Sequence, residues 1–179
     1  MQIAELIILG LLKEGKKHGY EIKQIIDERM ALIAEITSGT VYYTLAKLQR
    51  EGCVKGKKVK SGNRPEKNIY ELTKIGEEKF KELLKEVLFI DERPYYSFDL
   101  ALYFMKYANR KDVISAIEYK MKRIKDYYKF IEELEKKYPK NLWPYYWKKI
   151  KERAILNLKT TEKWYRKFYK EIKKREKEG

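Results

Sequence analysis

The feature of this 179-residue chain that most restricts its fold is the order of its periodic segments before residue 90. Three segments with apolar residues at helical spacing come first, over residues 2–13, 18–30 and 38–50. A stretch with Val54 and Val59 among lysines, 53–60, and an alternating stretch, 68–72, then flank a turn cluster at 61–65, as in a β-hairpin. Thr73 is placed to cap a fourth helix that reaches about Phe89. Three helices, a β-hairpin and a further helix predict a winged helix-turn-helix domain.

The chain beyond residue 90 is predicted to be helical. Pro94 interrupts the pattern, so a domain boundary is predicted between residues 1–90 and 91–179. Three helices are then expected, over 97–108, 112–138 and 143–175. The second carries apolar residues at alternating spacings of three and four, interrupted only at Glu135, as in a coiled coil: Ile114, Ile117, Met121, Ile124, Tyr128, Ile131 and Tyr138. The predicted fold class is mainly α with a small β-hairpin, a winged helix-turn-helix plus a C-terminal helical dimerisation domain.

The first helix is apolar on nearly every side between Leu6 and Leu12. A helix of that kind has to be buried all round, whereas a small domain covers only one of its sides. The C-terminal arm or a second subunit is therefore expected to cover the other side.

The placement of charge indicates a polyanionic partner. The formal net charge is +15, which favours nucleic acid and, less often, an anionic membrane. Residues 47–67 contain eight basic and two acidic side chains, more excess charge than residues 1–89 carry as a whole with 17 basic and 13 acidic. Residues 90–179 hold 25 basic and 14 acidic residues. This excess of positive charge allows two interpretations, a solvated helix face or a wider electrostatic attraction to DNA.

The third helix has the faces that a recognition helix needs. At about 100° per residue, Val41, Leu45 and Leu48 cluster on one side. The opposite side carries Gly39, Tyr43, Ala46, Lys47 and Arg50, small or cationic residues that suit base edges and phosphates. Ser38, the expected N-cap, and Thr40 lie where a helix N-terminus can hold a phosphate. The hairpin is predicted to contact the DNA backbone through its basic residues Lys57, Lys58, Lys60, Arg64 and Lys67.

Other classes of function find little support in the composition. One His and one Cys, His18 and Cys53, argue against a protein-only metal or catalytic site, and no cofactor-binding motif is present. The longest apolar run is too short to span a bilayer, and no signal peptide precedes it, so a cytoplasmic protein without membrane contact is expected.

Aromatic residues are concentrated in the C-terminal half and allow two interpretations. Tyr96, Phe98, Trp143 and Trp147 are candidates for a cavity that binds a flat, apolar effector. The simpler alternative is that these rings pack the core of a dimer.

Several motifs resemble the PadR family of transcriptional regulators. They are ILGLL at 8–12, HGYEI at 18–22, SGTVYYTLAKLQREGCV at 38–54 and NRPEKNIYELTKIGEEKF at 63–80. The resemblance covers roughly the first 85 residues, and the helical remainder resembles the family branch with an extended dimerisation region. One departure is Tyr43, where the family usually has Pro, so the base preference of the family is not transferred.

The resemblance implies a homodimer that binds a pseudo-palindromic operator in double-stranded DNA. It also implies repression that a small aromatic or amphipathic molecule relieves, and it implies that Tyr20 and Tyr42 approach phosphates. The alternative function is a helical dimeric interaction protein whose winged helix makes protein contacts. A steep fall of nucleic-acid affinity with salt would favour the regulator over that alternative.

Overall fold

The structure is a computed structural model that describes residues 2–59, 67–90, 96–137 and 144–175. The chain divides into two compact units, Met1–Glu92 and Arg93–Gly179. The first unit contains helices and strands in the order α1 Gln2–Lys13, β1 Lys17–His18, α2 Gly19–Arg29, α3 Ser38–Arg50, β2 Val54–Val59, β3 Lys67–Leu72 and α4 Lys74–Phe89. The second contains α5 Ser97–Tyr103, a 3₁₀ turn Met105–Tyr107, α6 Arg110–Lys137 and α7 Pro144–Arg175.

The predicted fold class is confirmed, with one strand more than the sequence suggests. Strands β2 and β3 form the antiparallel hairpin, and β1 adds to the far side of β3, giving the order β1-β3-β2. A two-residue strand is too short to show alternation, so its sequence gives no signal of pairing. It fixes the start of α2 against the hairpin.

The core of the first unit is built from the four helices α1–α4 and from β2 and β3. Ile8, Leu9, Ile22, Leu45 and Leu48 are among its fully buried side chains. Seven residues of α1 are buried, and six of them belong to the apolar core of the first unit, whereas Ile3 is 55% exposed. Helices α3 and α4 both pack against α1. The seventh buried residue is the acidic Glu5.

The second unit rests on the pairing of α6 and α7. Ile117 and Ile124 of α6 are buried together with Tyr165 of α7, as the seam pattern predicts. The predicted helix over 97–108 is interrupted, because the chain turns at Phe104 from α5 into the 3₁₀ turn. None of the helices in the described ranges combines the length and the apolar character that a membrane span requires.

Candidate nucleic-acid interface

The start of α3 is capped by Thr37, not by the predicted Ser38. Thr37 has an extended backbone, and its Oγ1 accepts a hydrogen bond of 3.2 Å from the Thr40 N–H. Ser38 is instead the first helical residue and is exposed. Two adjacent hydroxyl residues are equivalent by type, and only the backbone torsions decide which of them is the cap. The Thr40 N–H is therefore occupied, whereas Ser38 and Gly39 contribute first-turn N–H groups that need partners outside the helix.

Three tyrosines lie exposed around the N-termini of α2 and α3. Tyr42 and Tyr43 are 49% and 55% exposed on α3, and Tyr20, stacked on His18, is 46% exposed on α2. The Tyr42 ring packs on Gly19, where an added Cβ would lie only 2.7 Å from Tyr42 Cε1. This contact joins the starts of α2 and α3, and all three tyrosines remain about half exposed beside it.

The packing of the protein itself does not require a glycine at position 39. A Cβ at this position would meet only Thr37 Oγ1, at 3.8 Å, which is an ordinary contact distance. Ala46, two turns further on, is also exposed. The outer face of α3 is thus shallow enough for another molecule to come close to its backbone.

Lys47 lies differently from the prediction that it faces DNA. Its Nζ donates to Glu5 Oε1 at 2.5 Å and lies 3.6 Å from Glu51 Oε1. Lys79 of α4 completes a closed ring, because its Nζ lies 2.9 Å from Glu5 Oε2 and 2.5 Å from Glu51 Oε2. We call these four residues the α1–α3–α4 ion-pair ring. The ring ties Lys47 to the interior of its own unit.

Glu5 is the buried member of this ring, with a side chain only 4% exposed. Burial by itself raises the pKa of the Glu5 carboxyl, but hydrogen bonds from Lys47 and Lys79 outweigh that effect and hold the pKa below its ordinary value. The hydrogen bond to Glu5 raises the pKa of Lys47. Both cations therefore remain charged and bound to the ring at neutral pH.

Arg50 and the lysines of β2 form the cationic part of the surface. Arg50 is exposed in the last turn of α3 and takes part in no ion pair among the described residues. Lys57 and Lys58 are exposed on β2, the edge strand of the sheet. Lys67 begins β3 opposite Val59. The predicted contact residues Lys60 and Arg64 lie outside the described residues.

Two of the four predicted effector residues come together in the second unit. Tyr96 and Phe98 line a groove of about 550 Å³, whose other side is formed by Trp164 and Tyr165 of α7. The centres of the Phe98 and Tyr165 rings lie 5.4 Å apart. Lys120 Nζ lies 4.7 Å from the centre of the Phe98 ring. Trp147 is buried elsewhere on α7 and does not line this groove, and Trp143 lies outside the described residues.

The four predicted effector residues did not include Trp164, Tyr165 and Lys120, although the first two are among the aromatic residues of the C-terminal half from which such a cavity was expected. Trp164 and Tyr165 sit 66 and more residues from Phe98 in the chain, so only the pairing of α6 and α7 brings them near α5. The one available signal was the aromatic pair itself, interrupting a lysine-rich helix.

Comparisons with known proteins agree with this fold. Residues 8–82 match the sequence model of the Transcriptional regulator PadR-like family. The Negative transcriptional regulator PadR of Bacillus subtilis (strain 168) is 29% identical over 112 residues, which cover 63% of this chain and 62% of that relative.

Two solved structures of Bacillus subtilis PadR have the same fold. The complex with operator DNA gives a TM-score of 0.78 at 21% identity and covers 95% of this chain and 99% of that chain. The complex with p-coumaric acid gives 0.73 at 20% identity and covers 96% of each chain.

The fold of the chain is that of the winged-helix structures it matches. The part of the chain that is similar to the PadR-like family, residues 8–82, lies in the first unit.

Proposed function

We propose that this protein is a homodimeric repressor that binds a pseudo-palindromic operator through α3 and the β2–β3 wing of each protomer. The observation that carries the proposal is the outer face of α3, along which the open backbone at Gly39 and the exposed side chains of Tyr42, Tyr43 and Arg50 follow one another. The Bacillus subtilis relative, solved with operator DNA, supports the same use of the fold. Two such helices in a dimer would enter successive major grooves about one helical turn apart.

The proposed roles follow the chemistry of each side chain. Tyr43 and Arg50 read base edges, since Arg can donate two hydrogen bonds to guanine. Ser38, Thr40, Tyr20 and Tyr42 contact phosphates near the helix starts. The wing residues Lys57, Lys58, Lys60, Arg64 and Lys67 contact the flanking backbone. Lys47 orients α3 through the ion-pair ring, and this replaces the base-reading role predicted from the sequence.

The test begins with selection of duplex DNA by the purified full chain, where an enriched inverted repeat is expected. The variant Tyr43→Ala/Arg50→Ala should then lose the preference for the selected site, by about 1–3 kcal/mol for each lost base contact. A matched control removes the same two side-chain types from α6, Tyr127→Ala/Arg123→Ala, where Arg123 lies over the Tyr127 ring. Equal preference in the wild type and the α3 variant would refute the proposed recognition surface.

Dimerisation is proposed to use the second unit. Leu100, Tyr103 and Phe104 are each more than half exposed, and α5 has no buried residue. Contiguous apolar side chains of this kind are typical of an interaction surface. Leu100→Glu should shift the mass measured by light scattering toward that of a monomer, whereas Ser115→Glu on the exposed side of α6 should not. A monomeric wild type would refute dimerisation.

The aromatic groove of the second unit is proposed to bind a small aromatic or amphipathic effector that releases DNA. The complex of the Bacillus subtilis relative with p-coumaric acid supports such a ligand class. An effector can act only if it binds the DNA-competent and DNA-released geometries unequally, for instance by changing the spacing of the two α3 helices. In a Trp143→Phe/Trp147→Phe background, fluorescence reports Trp164 alone. A titration with p-coumaric acid should change that signal, and Phe98→Ala should weaken the response.

A further inference from the structure

The C-terminal half of α7 presents a mainly cationic face to solvent. Five side chains, which we call the α7 basic stripe, share this face with the acidic Glu162: Lys159, Lys163, Arg166, Lys167 and Lys170. All five are exposed, Lys167 to 79% of its side chain. At 100° per residue the stripe lies directly opposite Tyr165 and Phe168, which face the core of the second unit. None of the five belongs to the apolar core in the described part of this unit.

The stripe is unfavourable for the helix that carries it. Apart from the adjacent Arg166 and Lys167, neighbouring members are three or four residues apart, the spacing at which like charges repel on a helix surface. Among the described residues, Arg166 pairs with Glu162 and Lys167 lies 3.8 Å from Glu171, but Lys159, Lys163 and Lys170 take part in no ion pair. An external anion would remove this repulsion.

Helix α6 shows that a long helix of this protein can be exposed without such a face. It carries nine basic and six acidic residues, whereas α7 carries twelve basic and three acidic ones. On the solvent side of α6, Lys122, Lys125, Lys129 and Lys136 are mixed with Glu118, Asp126, Glu132 and Glu133. The excess of positive charge is therefore a property of α7 and not of every exposed surface.

The shape and chemistry of the stripe fit a phosphate backbone. From Lys159 to Lys170 the helix rises about 16 Å, a length along which duplex DNA presents several phosphates. Lysines are point charges that bind phosphate without reading base edges. An anionic membrane fits less well, because the apolar side chains of this part of α7 face the opposite way, into the core. A second copy meeting through the same face would place cations against cations.

We propose that the α7 basic stripe is a second DNA-binding surface, which holds phosphates without sequence preference. The inference rests on the proposed DNA-binding function and adds a contact that the winged helix does not provide. It predicts a stronger salt dependence of binding than α3 and the wing alone produce.

The test compares two full-length variants with the same change in net charge. One carries Lys159→Gln, Lys163→Gln, Lys167→Gln and Lys170→Gln, and the control carries Lys122→Gln, Lys125→Gln, Lys129→Gln and Lys136→Gln on α6. Affinity for a random-sequence duplex of about 60 base pairs is measured over a range of salt concentrations. The stripe variant should lose at least about tenfold in affinity at low salt, and its slope of log affinity against log salt should become shallower by about two to four units. The control should stay close to the wild type, and circular dichroism should show both variants folded.

Equal losses in both variants would overturn the proposal, because general charge would then explain the binding. No loss in either would overturn it as well. Loss of binding to phosphatidylserine vesicles with unchanged DNA affinity would assign the stripe to a membrane instead.

A failure of this inference is distinguishable from a failure of the proposed function. The Tyr43→Ala/Arg50→Ala variant should lose operator preference while keeping its affinity for the random duplex. The stripe variant should show the reverse, with preference retained and overall affinity reduced.

Discussion

In the N-terminal unit four charged side chains join three helices around the buried Glu5, whereas in the C-terminal unit the ion pairs lie on the surface of two long helices. Among those described in the second unit, only Lys151–Glu135 connects one helix to another. The first unit thus uses charge to fix the position of α3, whose outer face carries the candidate interface. The second unit is held by an apolar seam and leaves its charges to solvent, where they can act on a partner.

The largest expected effect concerns the core that fixes α3. Leu45 is fully buried, so Leu45→Ala should lower the free energy of unfolding by about 2–5 kcal/mol. All three tryptophans lie beyond residue 142, so tryptophan fluorescence follows the second unit, and hydrogen exchange follows both. The variant should lose protection in α1–α4 at lower urea while the fluorescence midpoint stays unchanged. A common shift of both signals would show that the two units unfold together and would remove the contrast.

A smaller effect is expected from the buried acid of the ion-pair ring. Glu5→Gln keeps the shape of the side chain but removes the charge that both lysines pair with, at a cost of about 1–3 kcal/mol. The loss of unfolding free energy is measured by urea unfolding, with hydrogen exchange of α1 and α3 as the signal. Unchanged stability would mean that the ring does not hold α3 in place.

Acid should reduce the same contribution. The folded-state pKa of Glu5 lies below its ordinary value of 4.5, so the carboxylate stabilises the fold above that pH. The contribution is lost as the pH falls through the folded-state pKa. The stability difference between wild type and Glu5→Gln should therefore shrink between about pH 5 and about pH 3. A constant difference over this range would exclude the charge of Glu5 as its cause.

The smallest effect is expected on the surface of the second unit. Arg123 and Asp126 lie 3.6 Å apart with both side chains about half exposed. Solvent screens such a pair, so Asp126→Asn should leave the urea midpoint unchanged within error. A clear loss of stability here would show that the second unit also depends on its ion pairs.

The prediction of local structure succeeded where a single stretch of chain carries the signal. Thr73 caps α4 through its Oγ1, as predicted, and the seam of α6 buries Ile117 and Ile124. The outward positions of Tyr43 and Arg50 follow from the helical period alone. The prediction that Trp147 lines the effector groove was wrong, because Trp147 is buried near the start of α7 and the groove lies further along that helix. Which parts of α7 are buried depends on how α6 and α7 pair.

The sequence by itself determined the order of the predicted helices and hairpin, the buried face of α3 and the excess of basic residues. Periodicity and charge can be read from neighbouring residues. The partner of Lys47 was decided only by the tertiary structure, since Glu5 lies 42 residues earlier in the chain and becomes its neighbour through the packing of α1 against α3. The same holds for the groove between Phe98 and Trp164 and for the added strand β1. Contacts between distant residues depend on which surfaces pack together, and no local pattern encodes that choice.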